Sequence, residues 1–137
     1  MNQEFLSFKK TLKSHGHFVT KQRMRLFFIM QKHNALTIRD LIKLLPRQDQ
    51  ATVYRNIRVF ERLGIITRLQ LGWHSKLELT DKFHHHHHHL TCLKCGSITA
   101  LPEDEALEAN LDRLGTTRGF KATDHQLEIR GLCHSCQ

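Results

Sequence analysis

Two Cys-X-X-Cys pairs, Cys92-Leu-Lys-Cys95 and Cys133-His-Ser-Cys136, constrain this chain more than any other feature. Thirty-seven residues separate them, so bringing them together closes most of the C-terminal part into one loop. Four cysteines in a chain with no secretory signal are read as metal ligands before disulfides. A doubled pair offers four thiolates in a tetrahedron, with Zn–S bonds of about 2.3 Å and no open position. The expected role is therefore structural: a zinc ion on Cys92, Cys95, Cys133 and Cys136 that pins the C-terminal strand to the strand after the histidines. A disulfide pair or a thiol redox switch are the alternatives.

Immediately before the first pair run six histidines, His84–His89. Such a run looks like a purification tag, which would be excluded from fold reasoning. Tags sit at chain ends, whereas this run opens directly onto a strand-like segment and two thiolates. In a strand, alternate side chains face opposite ways, so His84, His86 and His88 share one face and His85, His87 and His89 the other. One segment can then feed two metal sites, with Glu78, Glu103, Glu105, Glu108, His33 and His125 as further donors. Mixed imidazole and carboxylate sets suit Zn, Fe(II), Mn, Co or Ni. The plainer alternative is a tract that scavenges metal nonspecifically, and His84 and His85 fit that description best.

The net charge of +8 is unevenly placed. Residues 1–83 hold 16 Lys/Arg against 6 Asp/Glu, whereas 84–137 hold 5 against 7. The whole positive surplus lies in the first part, which points to a polyanion-binding half joined to a half with another task. Helical spacing is visible over 4–14 (Phe5, Phe8, Leu12) and over 21–33, where Thr20 is the expected N-cap and Met24, Phe27 and Phe28 the core face. Thr37 and Asp40 form a capping-box pattern for a third helix, which buries Ile38, Leu41, Ile42 and Leu45 and is ended by Pro46. Over 50–63, Val53, Ile57, Phe60 and Leu63 fall on one side of a helix. Arg55, Arg58 and Arg62 fall on the other, with Ala51 and Thr52 near its start and Tyr54 at the border. Strands follow over 65–71 and 76–80, joined around Gly72–Ser75. Three helices and a hairpin make a winged helix-turn-helix, whose recognition helix enters the DNA major groove. Beyond Phe83 the expected elements are a strand over 90–101 interrupted by the first cysteine knuckle, an acidic helix over 103–114, and strands over 120–124 and 126–132.

Three segments match a known family: ATVYRNIRVFERLGII (51–66), HHHHLTCLKCG (86–96) and DHQLEIRGLCHSC (124–136). In these the chain closely resembles the Fur superfamily of bacterial metal-dependent transcriptional repressors. The resemblance implies an α+β protein, with an N-terminal winged-helix DNA-binding domain (1–82) and a small C-terminal α/β metal-binding and dimerisation domain (83–137). It implies that Tyr54 and Arg55 contact bases and phosphates, and that the four cysteines hold structural zinc. It further implies one regulatory site on His86, His88, Glu108 and His125, where the family's iron sensors usually carry Asp in place of His88. A second regulatory site is implied on Glu78, His87 and His89, with His33 as the candidate fourth ligand. Ala35 is the position that aligns there without a gap, and the spacing from Glu78 to the histidines is about two residues longer than usual in the family.

The expected function is a dimeric, cytoplasmic repressor of metal-uptake or metal-homeostasis genes that binds double-stranded operator DNA. The regulatory metal is expected to be Fe(II), with Zn(II), Mn(II) or a peroxide-sensing role as alternatives. Histidines bind metal only when neutral, so activation is expected to weaken below pH ~6. No apolar run suggests a membrane span. No H-E-X-X-H motif or nucleophile elbow suggests an enzyme or a small-molecule substrate. A metal-storage or delivery protein with a vestigial helix-turn-helix is the reading from a different class.

Overall fold

Four helix starts in the computed structural model, which describes residues 2–137, follow one rule. Asn2, Thr20, Thr37 and Asp49 each accept the backbone N–H of the residue three positions on, opening α1 (Gln3–Ser14), α2 (Lys21–Lys32), α3 (Ile38–Leu44) and α4 (Gln50–Arg62). Each such cap contributes about 1 kcal/mol. The box at α3 is reciprocal, because Asp40 also accepts the Thr37 N–H at 2.9 Å. After Gly64, whose φ of 67° suits the residue beyond a helix end, come β1 (Ile66–Leu71) and β2 (His74–Leu79), paired antiparallel. The α2–α4 helices followed by this hairpin form a winged helix-turn-helix. Its Leu71↔His74 register leaves only Gly72 and Trp73 in the turn, tighter than the four-residue connection expected.

The chain divides into two units, the first ending at His85 and the second spanning His86–Gln137. The first is built on phenylalanine. Phe8 stacks on Phe27 at 4.2 Å and meets Phe60 edge-on at 5.4 Å. Leu12, Leu26, Met30, Leu41, Ile57, Ile65 and Leu77 are among the other side chains buried with them. Phe83, expected to open the second domain, is instead part of this core, edge-on to Phe27 at 6.0 Å. Apolar burial outweighs the change of composition at that point, so the break falls after His85. The buried face of α2 is also rotated from the expected one, to Leu26, Phe27 and Met30, with Phe28 at the surface. Adjacent residues point about 100° apart on a helix, and Phe27 takes the inward direction because Phe8 stacks on it.

The second unit contains β3 (His87–Cys92), β4 (Ile98–Pro102), α5 (Glu105–Thr116), β5 (Glu128–Gly131) and a 3-10 turn at His134–Cys136. The sheet order is β4-β3-β5, antiparallel on one side of β3 and parallel on the other. The architecture of the chain is α+β. Three expectations need correction here. The strand starts at His87, so His84–His86 lie outside it. The helix starts two residues late, because Asp104 caps it by accepting the Leu107 N–H. No strand forms over 120–124: that stretch has no ladder partner among the described residues, and Phe120 is 73% exposed.

Candidate metal centres and nucleic-acid interface

The first cysteine knuckle lies where β3 ends, and the second follows β5. Parallel pairing of these strands, with Cys92 opposite Gly131, carries the two knuckles to the same end of the sheet. All four sulfurs lie within 4.8 Å of one another, and none is in a disulfide. Cys95 Sγ and Cys133 Sγ are 3.8 Å apart, the edge of a tetrahedron with bonds of about 2.3 Å to a central zinc being about 3.8 Å. The thiols differ in acidity. Backbone N–H groups of Cys133 and Cys95 pull the Cys92 thiol down to about 6, and Ser97 lowers that of Cys95. Hydrogen bonding to Cys133, followed by burial and the remaining sulfurs, pushes Cys136 up to about 12. Four sulfurs this close cannot all ionise alone, and a dication removes that penalty. The donor set fits zinc.

A second group is centred on Glu108, in the first turns of α5. His88, on β3 and only 1% exposed, places Nε2 2.6 Å from Glu108 Oε1. His125 Nε2 lies 3.0 Å from Oε2, and His86 Nε2 3.5 Å from Oε1. The His86 and His125 nitrogens approach each other to 3.1 Å, close to the ~3.3 Å edge that Zn–N bonds of 2.0–2.1 Å would give in a tetrahedron. Burial raises the Glu108 carboxyl, but the His88 hydrogen bond and the charges of His125, His86 and His88 outweigh it and leave it below its usual range. Three nitrogens therefore converge on an anionic carboxylate. The donors fit a borderline divalent cation: zinc, ferrous iron or a similar ion.

His87 and His89 leave β3 on the other side, their rings 4.8 Å apart. Of the remaining residues expected at the second regulatory site, Glu78 lies in β2, paired with Thr67. His33 is the exposed C-cap of α2. Both belong to the first unit.

On α4, Val53, Asn56, Ile57 and Phe60 are buried. Ala51, Arg55, Arg58 and Arg62 are exposed, as is Tyr54 at 42%. The spacings of four, three and four residues put Ala51, Arg55, Arg58 and Arg62 in one stripe. Such a face presents three guanidinium groups and a phenol to whatever lies outside.

A sequence profile of the ferric uptake regulator family matches residues 14–130 of this chain. The chain belongs to the ferric uptake regulator family. It is 34% identical over 133 residues to the ferric uptake regulation protein of Legionella pneumophila, covering 92% of this chain and 96% of that one. Among solved structures it resembles the ferric uptake regulator of Vibrio cholerae, with a TM-score of 0.74 and 29% identity over 92% of this chain and 99% of that one. It also resembles the ferric uptake regulator of Francisella tularensis solved with iron, with a TM-score of 0.70 and 30% identity over 88% of this chain and 95% of that one.

Two residues that hold the arginine-bearing helix of this family member in place were not visible in the sequence. Asn56, on the buried side of α4, accepts a hydrogen bond from Arg23 Nε at 3.1 Å. Arg23 also donates to the Phe18 carbonyl at 2.7 Å, so it fastens α4 to α2 and to the loop before it. A polar residue inside an otherwise apolar helix face was the available signal. Thr52, expected among the DNA contacts, has its hydroxyl engaged in the helix cap, donating to Asp49 Oδ2 at 2.6 Å.

Proposed function

We propose that this chain is a metal-responsive, DNA-binding transcriptional repressor that senses Fe(II) and controls genes of metal uptake. One observation carries the reading: in a member of the ferric uptake regulator family, His86, His88, His125 and Glu108 bring one donor atom each within 4.8 Å of the others. In this reading these four hold the regulatory ion, and the four cysteines hold a structural zinc. His87 and His89, with Glu78 and His33 as the implied further donors, serve a second regulatory ion. Tyr54, Arg55, Arg58 and Arg62 meet operator DNA, with Ala51 and Thr52 at the helix start. Arg55 offers the bidentate donor pair that reads guanine, and the other guanidiniums suit phosphates. The F. tularensis protein was solved with iron, which supports Fe(II) as the effector.

The working form is a homodimer. Leu114, Phe120, Ile129 and Leu132 of the second unit are all more than half exposed, and the 120–124 segment has no ladder partner among the described residues. A second copy of the chain is the natural cover for such a surface. No described helix is long and apolar enough to cross a membrane, and a repressor of this kind works in the cytoplasm, on DNA rather than on a substrate.

A zinc-sensing role is the second reading. It is favoured by His88, because three imidazoles and one carboxylate make a donor set that zinc accepts readily. Anaerobic binding titrations on promoter DNA, with Fe(II), Zn(II) or Mn(II) supplied singly to zinc-loaded protein, separate the two. Repression by Fe(II) at the lowest free concentration is the expected result. A response to zinc alone would replace iron in the reading, and the absence of any sequence-specific complex under all three ions would favour metal storage or delivery. Arg55→Ala is expected to cost about 1–3 kcal/mol of operator binding while leaving the zinc content unchanged.

A further inference from the structure

The rotation of α2 that puts Phe28 at the surface leaves an apolar hollow in the first unit. It is a cavity of about 370 Å3 between α2 and the turn that joins α3 to α4. Phe28 and Ile29 come from α2, and Leu44, Leu45 and Pro46 from the end of α3 and the turn. Phe28 is 40% exposed and Leu44 41%, so two large apolar side chains meet solvent in one concavity. Neither the metal centres nor the arginine stripe of α4 makes use of it.

The walls are held in place from behind. The Phe28 ring packs on that of Phe5 at 4.8 Å, and Gln48 Nε2 donates to the Gln22 carbonyl at 3.3 Å, which fastens the turn to α2. The charged groups on the lining are two guanidiniums, Arg25 and Arg47, with no carboxylate beside them. Arg25 precedes Phe28 and Ile29 by three and four residues and so shares their face of the helix. Both arginines are exposed, and neither has an ion-pair or hydrogen-bond partner among the described residues. An apolar surface thus lies beside two uncompensated cations.

We propose that this cavity binds a small organic carboxylate with an apolar tail. The tail covers Phe28, Ile29, Leu44 and Leu45, and the carboxylate meets the guanidiniums of Arg25 and Arg47. Guanidinium is the side chain best matched to a carboxylate, because its planar fork can donate two parallel hydrogen bonds. An exposed ion pair alone is worth little, so the ligand needs its apolar part as well as its charge. A concave site of this volume is within the range of about 300–1,000 Å3 that takes a single small molecule. The bound molecule would bridge α2 and the turn before α4, and would stabilise the first unit as its concentration rises. Nothing in this site depends on the regulatory metal or on the operator.

The test uses the full chain and octanoate as the probe, read by titration calorimetry and by backbone NMR shifts. One octanoate per chain is expected to bind, with shifts centred on residues 25–29 and 44–48. Octan-1-ol lacks the charge and acetate lacks the tail, so each should bind at least about tenfold more weakly. The Arg25→Gln/Arg47→Gln variant should weaken octanoate by about tenfold or more and leave octan-1-ol unchanged. Leu44→Asn should weaken both. Each substituted side chain is exposed, and circular dichroism matching the parent chain establishes that the variants are folded. Unchanged octanoate affinity in the double arginine variant overturns the proposal; if that variant also loses operator affinity, the two arginines serve DNA phosphates instead. Octan-1-ol binding the parent chain as tightly as octanoate overturns it too, as do shifts centred elsewhere in the chain.

Discussion

The two units of this chain are held together by different physics. The first buries six helical and strand faces around Phe8, Phe27 and Phe60, each without measurable exposure. The second has a helix with no buried residue at all. Its most enclosed side chains include His88, His89, Thr91 and Cys92, which are polar or metal-binding. Burying a Phe or Leu side chain is worth about 1.5–3 kcal/mol, so the first unit has ample driving force of its own. In a unit of 52 residues a hydrophobic core is marginal, and in the proposed reading metal coordination supplies what apolar burial does not. On that reading, the same region is the one whose structure would answer to metal supply.

The largest expected effect tests the metal half of that contrast. Cys133→Ser should lose the tightly held zinc, with a loss on the order of 10 kcal/mol of metal-linked folding free energy. Hydrogen exchange should then show β3, β5 and α5 unprotected while α1–α4 stay protected. Retention of zinc and of protection in β3 would refute the structural assignment.

Next comes the aromatic half. Phe60→Ala should destabilise the first unit by about 3–5 kcal/mol, measured as a lowered denaturant midpoint, and added zinc should not restore it. A smaller loss is expected for Arg23→Ala, about 1–3 kcal/mol, because it leaves the buried Asn56 oxygen without its donor. Operator affinity should fall with it, since α4 loses its fastening.

The smallest effect is a pH dependence confined to the first unit. Burial raises the Asp40 carboxyl, but hydrogen bonds from Thr37 and the charges of Lys76 and Lys43 leave it below its ordinary value of 3.8. A lowered folded value means stability that is present above that ordinary value and lost as pH falls through the folded one. Asp40→Asn should therefore reduce stability by about 1 kcal/mol or less at pH 7, and the gap should narrow towards pH 3. Thermal unfolding at the two pH values checks it.

What the sequence disclosed follows the same division. In the first unit, helix starts were legible because a cap is local chemistry: Thr20, and Thr37 with Asp40, act on residues three positions away. The Arg55–Arg62 stripe was legible as periodicity. The direction of Phe28 was not, because it depends on which of two neighbouring rings stacks on Phe8, far away in the chain. In the second unit, donor types at short spacing marked the cysteine knuckles, and the resemblance supplied Glu108 and His125. Its strands were less legible. Residues 120–124 alternate well enough, but a strand also needs a partner, and nothing local announces that. The role of Asn56 was hidden for the same reason, since its donor sits 33 positions earlier.

One consequence follows from the alternation along β3. His88 and Cys92 are four residues apart on one strand and so point to the same side, whereas His87 and His89 point to the other. A slip of this strand by a single residue against β5 would exchange the two histidine sets, presenting His87 and His89 to Glu108 and turning His88 away. Histidine at every position from 84 to 89 gives the run no composition of its own to resist such a slip. The thiolate cluster at the strand's end does resist it, because Cys92 must stay opposite Gly131 for the four sulfurs to meet. A zinc ion held there, as proposed, would act as a reading frame for the histidines: it would decide which of the identical side chains on the strand face which side of the sheet.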